Sequence, residues 1–436
     1  LLVKVITPGM KYDVRNPLGE LSSLASTAGA IVVDGLIQKR TTVVPRTYVG
    51  KGKTQEIHDR AAAGHVDLIL FDNDLTPAQI RELEKVIDRK IVDRSELILD
   101  IFAARAQTHE ARLQVELAQL QYTAPRLRGM WSHLERIAGV GGATRAGVVG
   151  GIGTRGPGER QIEIDRRIVS DRVAELKREI ERIDRRKRQE VRSRSDQFTV
   201  SLVGYTNAGK STLMNALTDA NQTVEDKLFA TLDTRTARWN FGGGQTALLS
   251  DTVGFVRDLP HRLVASFRAT LEEAIHARLL LHVIDVAARD VLLQVEAVQQ
   301  VLTELGCQDT PTLAVLNKVD AAPVDHLIPV LENRMPRSLC ISARTGSGLD
   351  RLVEAVVEEM GRQAIHATVR TGVDNGRLMA ELDRLGTVIE RRYTGNAAEM
   401  DLRIDRARLH QLVGRYPGLQ VIAPEGFGRT NDDGHP

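Results

Sequence analysis

The chain has 436 residues, of which 42% are hydrophobic and 27% charged, with a formal net charge of +2 at pH 7. That length allows two to four domains with ordinary cores, and with aromatics at only 4% the cores must be filled by Leu, Val and Ile. Cys307 and Cys340 form neither a disulfide framework nor a metal-ligand spacing, and no apolar run reaches the length of a membrane span, so a cytoplasmic, reducing setting is expected. The first residue is Leu rather than Met, and the true start is expected to be missing.

Residues 1–94 alternate between strand-like and helix-like patterns. Leu2 to Ile6, Ala30 to Val33 and Asp67 to Asp72 are expected as strands; Leu18 to Ala28, Thr54 to Ala63 and Pro77 to Ile87 are expected as helices. Such alternation predicts a small α/β domain with a mostly parallel sheet. Gly50-Lys51-Gly52-Lys53 reads as a turn with solvated lysines, with phosphate binding as the alternative.

Residues 95–196 are helical in pattern. Leu113, Leu120, Leu127 and Leu134 are spaced by seven, as are Leu117, Ala124 and Trp131, with a bend expected at Pro125. Ile162, Val169, Leu176 and Ile183 repeat the spacing further on. Between the two series lies the glycine-rich stretch 139–158, which forms no regular element cheaply and is expected to be a long loop. An antiparallel helical hairpin with this loop at its tip follows. Residues 126–195 hold 18 Lys/Arg against 10 Asp/Glu, so the positive charge is concentrated here. Arg145, Arg155 and Arg160 are candidate RNA contacts, because clustered arginines suit phosphate backbones; a solvated coiled-coil face laced with ion pairs is the plainer account of the lower helix.

Residues 197–362 carry the clearest chemistry. Gly204-Tyr205-Thr206-Asn207-Ala208-Gly209-Lys210-Ser211 has the G-x-x-x-x-G-K-S form and lies between a strand-like run from Phe198 to Val203 and a helix start at Thr212. Backbone N–H groups of such a loop cradle phosphates, the lysine reaches the β- and γ-phosphates, and the serine hydroxyl ligates Mg²⁺. Phe229, Ala230, Thr231 and Leu232 stand where a Mg²⁺-sensing switch belongs, with Thr231 as second protein ligand. Asp251-Thr252-Val253-Gly254 ends the next strand; Asp251 holds Mg²⁺ through water, and Gly254 offers its N–H to the γ-phosphate. Phe255 stands where related switches keep a water-orienting Gln, so hydrolysis by the isolated protein is expected to be slow. Asn317-Lys318-Val319-Asp320 follows a further strand: Asp320 suits the donor pair of guanine, which adenine lacks, and the Lys318 stem covers the base. Ser342-Ala343-Arg344 is placed to contact the guanine carbonyl. These groups, in this order at strand ends, point to GTP and GDP as ligands. Asn207 makes K⁺ a second candidate cation.

Residues 366–424 read as a small α+β domain, with strands from His366 to Arg370, Thr387 to Arg392 and Glu399 to Ile404 and helices from Asn375 to Leu385 and Arg406 to Arg415. Residues 425–436 are expected to be a disordered tail.

The sequence resembles the HflX family of translation-factor-related GTPases. The resemblance rests on Asp93-Arg-Ser-Glu-Leu-Ile-Leu-Asp-Ile-Phe102, Gln114-Val-Glu-Leu-Ala-Gln-Leu120, Pro125-Arg-Leu127 and Gly151-Ile-Gly-Thr-Arg-Gly-Pro-Gly-Glu159, besides the shared GTPase motifs, and spans residues 1 to about 420. It implies binding to the large ribosomal subunit, with the glycine-rich tip directed at ribosomal RNA near the peptidyl-transferase centre, ribosome-stimulated GTP hydrolysis, and splitting or rescue of stalled or idle ribosomes under stress. A monomer is expected. The family usually has Pro after Leu-Asp in the first switch, where this chain has Thr234, and Ser-Ala-Lys where it has Ser-Ala-Arg. Two alternatives remain open at this point: a GTPase switch acting on a protein or membrane through the hairpin, and an RNA-modifying enzyme, for which no catalytic constellation is visible.

Overall fold

A computed structural model describes residues 1–126, 157–193, 197–218, 228–229, 234–242, 245–258, 271–321, 327–362 and 364–424. The N-terminal unit is a parallel sheet of order β2-β1-β3-β4, made by β1 (Leu2–Ile6), β2 (Gly35–Lys39), β3 (Leu68–Phe71) and β4 (Lys90–Val92). β1 is buried at all five residues, as expected of an apolar strand covered on both faces. The helices are α1 (Gly19–Thr27), α2 (Lys51–Ala63) and α3 (Pro77–Ile87). α3 starts with a capping box between Thr76 and Gln79, with Pro at its first turn, and stops at Asp88 in the left-handed conformation. The strand expected over Ala30 to Val33 is not one. Ala30 N–H closes the end of α1 on Ala25 O, Ile31 is 89% exposed, and the pairing with β1 is made five residues later, where Leu36 turns into the core. The β-branched run has strand propensity, but burial decides the register. The Gly50-to-Lys53 stretch is also not a free turn: Gly50 caps α2, which starts at Lys51.

α4 (Arg94–Arg105) and α5 (His109–Thr123) follow, capped by the Asp93 carboxylate and the Thr108 hydroxyl, and α5 passes into a 3₁₀ turn at Ala124–Arg126, which contains Pro125. α6 (Pro157–Ser193) packs against α5. Leu113, Leu117 and Leu176 are buried together, flanked by Leu120, Val173, Ile180 and Ile183, so both heptad series meet at the hairpin base. Arg172 binds both oxygens of Glu116 across the two helices. Pro157 and Gly158, expected in the tip loop, form the first turn of α6, where proline costs no hydrogen bond. Leu127, Trp131, Leu134, the tip loop before residue 157 with Arg145 and Arg155, and the side chain of Arg160 lie outside the described residues, as does the 425–436 tail.

The next unit is a six-stranded sheet of order β10-β9-β8-β5-β7-β6. Its strands are β5 (Phe198–Gly204), β6 (Arg235–Gly242), β7 (Gln245–Asp251), β8 (Leu279–Asp285), β9 (Thr312–Asn317) and β10 (Ser338–Cys340). All pairings are parallel except β6 with β7. Helices α7 (Lys210–Leu217), α8 (Glu272–Ile275), α9 (Val291–Glu304), α10 (Ile328–Arg334) and α11 (Leu349–Arg362) accompany it. Alternate residues of β5 and β8 face opposite layers: Val200, Leu202, Leu281 and Val283 pack with α7 and α11, while Val203 and Leu280 pack with α9. That second layer is continuous with the N-terminal unit, joining Leu21, Leu24 and Phe102 to Tyr205, Phe229, Phe255 and Val256.

The last unit runs β11 (Ala364–Gly372), α12 (Gly376–Leu385), β12 (Gly386–Thr394), β13 (Ala397–Asp405), α13 (Arg406–Arg415) and β14 (Gln420–Pro424), with an antiparallel sheet of order β12-β13-β11-β14. Its helices cover one face, burying Val369, Leu378, Met400, Leu402 and Leu409. β14 was not expected from the sequence.

Candidate functional site

The glycine loop joins β5 to α7, at the carboxyl ends of the parallel strands. Its conformation demands its glycines. Gly204 has φ +154° and a Cβ there would lie 2.3 Å from Val283 O; at Gly209, φ +94°, a Cβ would lie 2.4 Å from Asn317 Nδ2. Lys210 Nζ donates to Gly204 O at 3.2 Å and Tyr205 O at 2.9 Å. Burial lowers the ammonium's pKa to about 8, with the Asp251 carboxylate acting the other way. The Ser211 hydroxyl donates to Asp251 Oδ2 at 2.6 Å, and Asp251 is fully buried at the end of β7. A hydroxyl and a carboxylate oxygen side by side form a hard-oxygen donor pair, which suits Mg²⁺.

The D-x-x-G segment lies directly on the loop. Thr252 anchors it by donating to Leu202 O at 2.7 Å. Phe255 N–H donates to Gly204 O and Thr206 N–H to Phe255 O, closing a short parallel bridge between Tyr205 and Phe255. Phe255 and Val253 are buried in the layer shared with the N-terminal unit.

On the other side, Asn317 links three segments. Its Nδ2 donates to Ala208 O at 2.9 Å, and its Oδ1 accepts from Ala343 N–H at 2.9 Å. Lys318, at φ +66°, donates to Asn207 O at 2.8 Å and pairs with Asp285 at 2.8 Å. Asp320 pairs with Arg344 at 2.5 Å. The Ser342 side chain, with Arg344, holds the Asp320 carboxyl below its usual range.

The fold therefore gathers the expected residues of the glycine loop, Thr212, Asp251 to Phe255, Asn317 to Asp320 and Ser342 to Arg344 along one edge of one sheet. Phe229 points elsewhere: it is buried edge-on against Phe102 of α4, ring centroids 4.6 Å apart. Ala230, Thr231 and Leu232 lie outside the described residues. Sequence reasoning missed Asp285, Glu20, Arg94 and Arg257. Asp285 had a signal, an acid at the end of an apolar strand. Glu20 had none, because an acid in the first turn of a helix ordinarily faces water.

A six-stranded sheet with one antiparallel edge strand, a glycine loop at the end of its central strand and an Asn-Lys-x-Asp loop two strands away defines a P-loop GTPase. Family profiles cover the chain in the same order: a GTP-binding GTPase N-terminal region over residues 15–103, a GTP-binding GTPase middle region over 105–194, and a 50S ribosome-binding GTPase over 199–318. GTPase HflX of Lacrimispora saccharolytica is 44% identical over 369 residues, 84% of each chain. GTPase HflX of Escherichia coli (strain K12) is 42% identical over 390 residues, 89% of each chain, and that of Magnetococcus marinus is 41% identical over 429 residues, 97% of this chain and 96% of the other. The chain belongs to the HflX GTPase family. A GTP-binding protein from Sulfolobus solfataricus, solved in complex with GDP, aligns over 82% of this chain and 98% of its own at 22% identity and a TM-score of 0.40.

Proposed function

We propose that this GTPase is a nucleotide-gated factor of the large ribosomal subunit that separates stalled or idle ribosomes. In this reading Gly204 to Thr212 cradle the phosphates and Lys210 neutralises their charge. Ser211, Thr231 and, through water, Asp251 hold Mg²⁺, which supplies charge neutralisation on the phosphate oxygens. Gly254 senses the third phosphate. Asp320 reads the guanine donor pair, the Lys318 stem covers the ring, and Ser342, Ala343 and Arg344 close over its carbonyl edge. Asn207 is the candidate K⁺ ligand. Hydrolysis is slow alone, because Phe255 is buried in the domain interface and carries no group that orients water; a ribosomal contact accelerates it. The hairpin with Arg145, Arg155 and Arg160 supplies the RNA-facing arm near the peptidyl-transferase centre.

The single observation that carries the ribosomal part is charge: residues 126–195 concentrate 18 Lys/Arg against 10 Asp/Glu in a chain of net charge +2. The profile description of residues 199–318 and the HflX relatives support it. Counterion release makes such an arm a salt-sensitive ligand of RNA, which favours it over a protein- or membrane-directed switch. No helix among the described residues is long and apolar enough to cross a membrane. The test is a sucrose-gradient assay of subunit dissociation using protein whose residues 139–158 are replaced by a short Gly-Ser linker. Loss of splitting with retained GDP affinity is expected; splitting at the wild-type rate would make the loop a mere connector.

A further inference from the structure

The interface between the N-terminal unit and the GTPase unit contains a buried chain of charges as well as apolar side chains. Lys4 pairs with Asp72 at 2.6 Å, Asp72 with Arg94 at 2.5 Å, Arg94 with Glu20 at 2.8 Å, and Glu20 with Arg257 at 2.5 Å. The side chains of Lys4, Asp72, Arg94, Glu20 and Arg257 are no more than 10% exposed. Two of its members reach the nucleotide site. The Tyr205 hydroxyl, on the second residue of the glycine loop, donates to Glu20 Oε1 at 2.5 Å and accepts from Arg257 N–H at 2.9 Å. Arg257 Nε donates to Glu20 Oε2 at 2.6 Å, and Arg94 donates to Arg257 O at 2.9 Å. Glu20 thus fastens the loop and the segment after D-x-x-G to α1 with one carboxylate.

What that segment does at the site is visible in Gly254. A Cβ on it would lie 2.8 Å from Thr206 Cα and 3.0 Å from Lys210 Nζ. The D-x-x-G backbone rests on the loop and its lysine, too close for a phosphoryl group to stand between them. Admitting a third phosphate beside Lys210 requires Gly254 to withdraw, which strains or breaks the Tyr205–Phe255 bridge two residues before Arg257. We propose that Glu20 is a positioning residue for nucleotide discrimination: by tying Arg257 and Tyr205 together it holds D-x-x-G down on the phosphate loop, favouring GDP over GTP, and a force that moves the N-terminal unit relieves the bias. The inference rests on the assignment of the phosphate site and is independent of the ribosomal reading. Burial opposes the charge on Glu20, but Arg94 and Arg257 outweigh it and hold the carboxyl at about 2, so Glu20 is ionised throughout the neutral range.

The experiment measures the affinities of the full chain for the fluorescent analogues mant-GDP and mant-GTPγS. Glu20→Gln should raise the GTPγS-to-GDP affinity ratio by about tenfold, within the usual range of coupling between sites. Tyr205→Phe, nearly isosteric and less disruptive, should move the ratio the same way by less. The double variant should fall short of the sum, because both act through one contact. Lys4→Met, which breaks the far end of the same chain, should lower stability and leave the ratio unchanged. Equal ratios in wild type, Glu20→Gln and Tyr205→Phe overturn the inference while leaving the nucleotide site intact. A Lys4→Met shift as large as that of Glu20→Gln reduces the network to general stability and also overturns it. Failure of the wild type to bind either analogue overturns the phosphate-site assignment itself.

Discussion

Asn317→Ala removes a side chain whose two hydrogen bonds join three separate loops. The side chain is 2% exposed, and its loss leaves Ala208 O and Ala343 N–H without their partner. A buried group stranded in this way costs about 1–3 kcal/mol. Two of them cost about 2–6 kcal/mol. Asn317→Asp separates the two bonds. It keeps the acceptor for Ala343 N–H but turns a carboxylate oxygen toward Ala208 O, so it should be at least as damaging as alanine. The unfolding of this unit is followed through Trp239, which is buried in its core, in a Trp131→Phe background, with urea and without nucleotide. GDP affinity is measured alongside by calorimetry, since both loops that lose their link carry candidate nucleotide contacts. If Asn317→Ala lies within about 0.5 kcal/mol of the parent in stability and binds GDP equally well, the side chain is not the link that the geometry makes it.

Asp320→Asn should exchange guanine for xanthine selectivity, since the amide presents the complementary donor to the altered ring; unchanged preference in competition between GTP and xanthosine triphosphate would remove Asp320 from the base site. Gly348→Ala should be destabilising and loosen the Ser342 to Arg344 loop, because φ is +76° and the new Cβ would lie 2.4 Å from Cys340 O; a parental urea midpoint would refute this. His282 on β8 is held neutral, its pKa lowered to about 4 first by burial and then by Lys210. The unfolded chain takes up that proton near pH 6.5 and the folded one near 4, so stability falls as pH drops through this window, by up to about 1.4 kcal/mol per unit. His282→Leu should flatten this part of the acid limb; an unaltered slope of urea midpoint between pH 6.5 and 4 would count against it. Hydrolysis by the isolated protein should be slow and faster in K⁺ than in Na⁺, and phosphate-release assays showing rapid turnover indifferent to the cation would dismiss both the Phe255 and the Asn207 readings.

The gathering of the candidate nucleotide contacts at one sheet edge was legible because each of its parts is local: a glycine loop between a strand and a helix, an acid at a strand end, an Asn-Lys-x-Asp run after another. Spacing alone also paired the hairpin helices, where Leu113, Leu117 and Leu176 are buried as their heptads required. The misplaced second strand shows the limit of propensity. Ile31, Val32 and Val33 are better strand formers than Gly35 and Gln38, yet the later segment pairs with β1 because only that register turns Leu36 inward. β14 escaped because a five-residue segment ending in Pro carries little pattern of its own. The charged interface was invisible for another reason. Glu20 and Tyr205 are 185 residues apart, and nothing local distinguishes Glu20 from a solvated acid.

The placement of that interface follows from the N-terminal sheet itself. In an open α/β sheet ligands sit beyond the carboxyl ends of the strands. Here Asp72 and Asn73 stand just past β3 and Arg94 just past β4. Asn73 brackets Val5 by bonding both its N–H and its C=O, while Asp72 orients Arg94. The group that Arg94 then meets is the backbone carbonyl of Arg257. The ligand at this edge is the GTPase unit's own switch segment. Its adhesion is already supplied by Leu21, Leu24, Phe102, Phe255 and Val256, and a buried charge network adds less stability than apolar packing of equal volume. What the charges add is a register. Glu20 and Arg94 bind the N–H and the C=O of one residue as well as its guanidinium, so a slip of the segment by a single position breaks all of these contacts together. An apolar contact would yield gradually to such a slip. A carboxylate and a guanidinium fixed to one backbone position make the contact two-valued, and a two-valued contact between domains is the physical requirement for coupling one site to another.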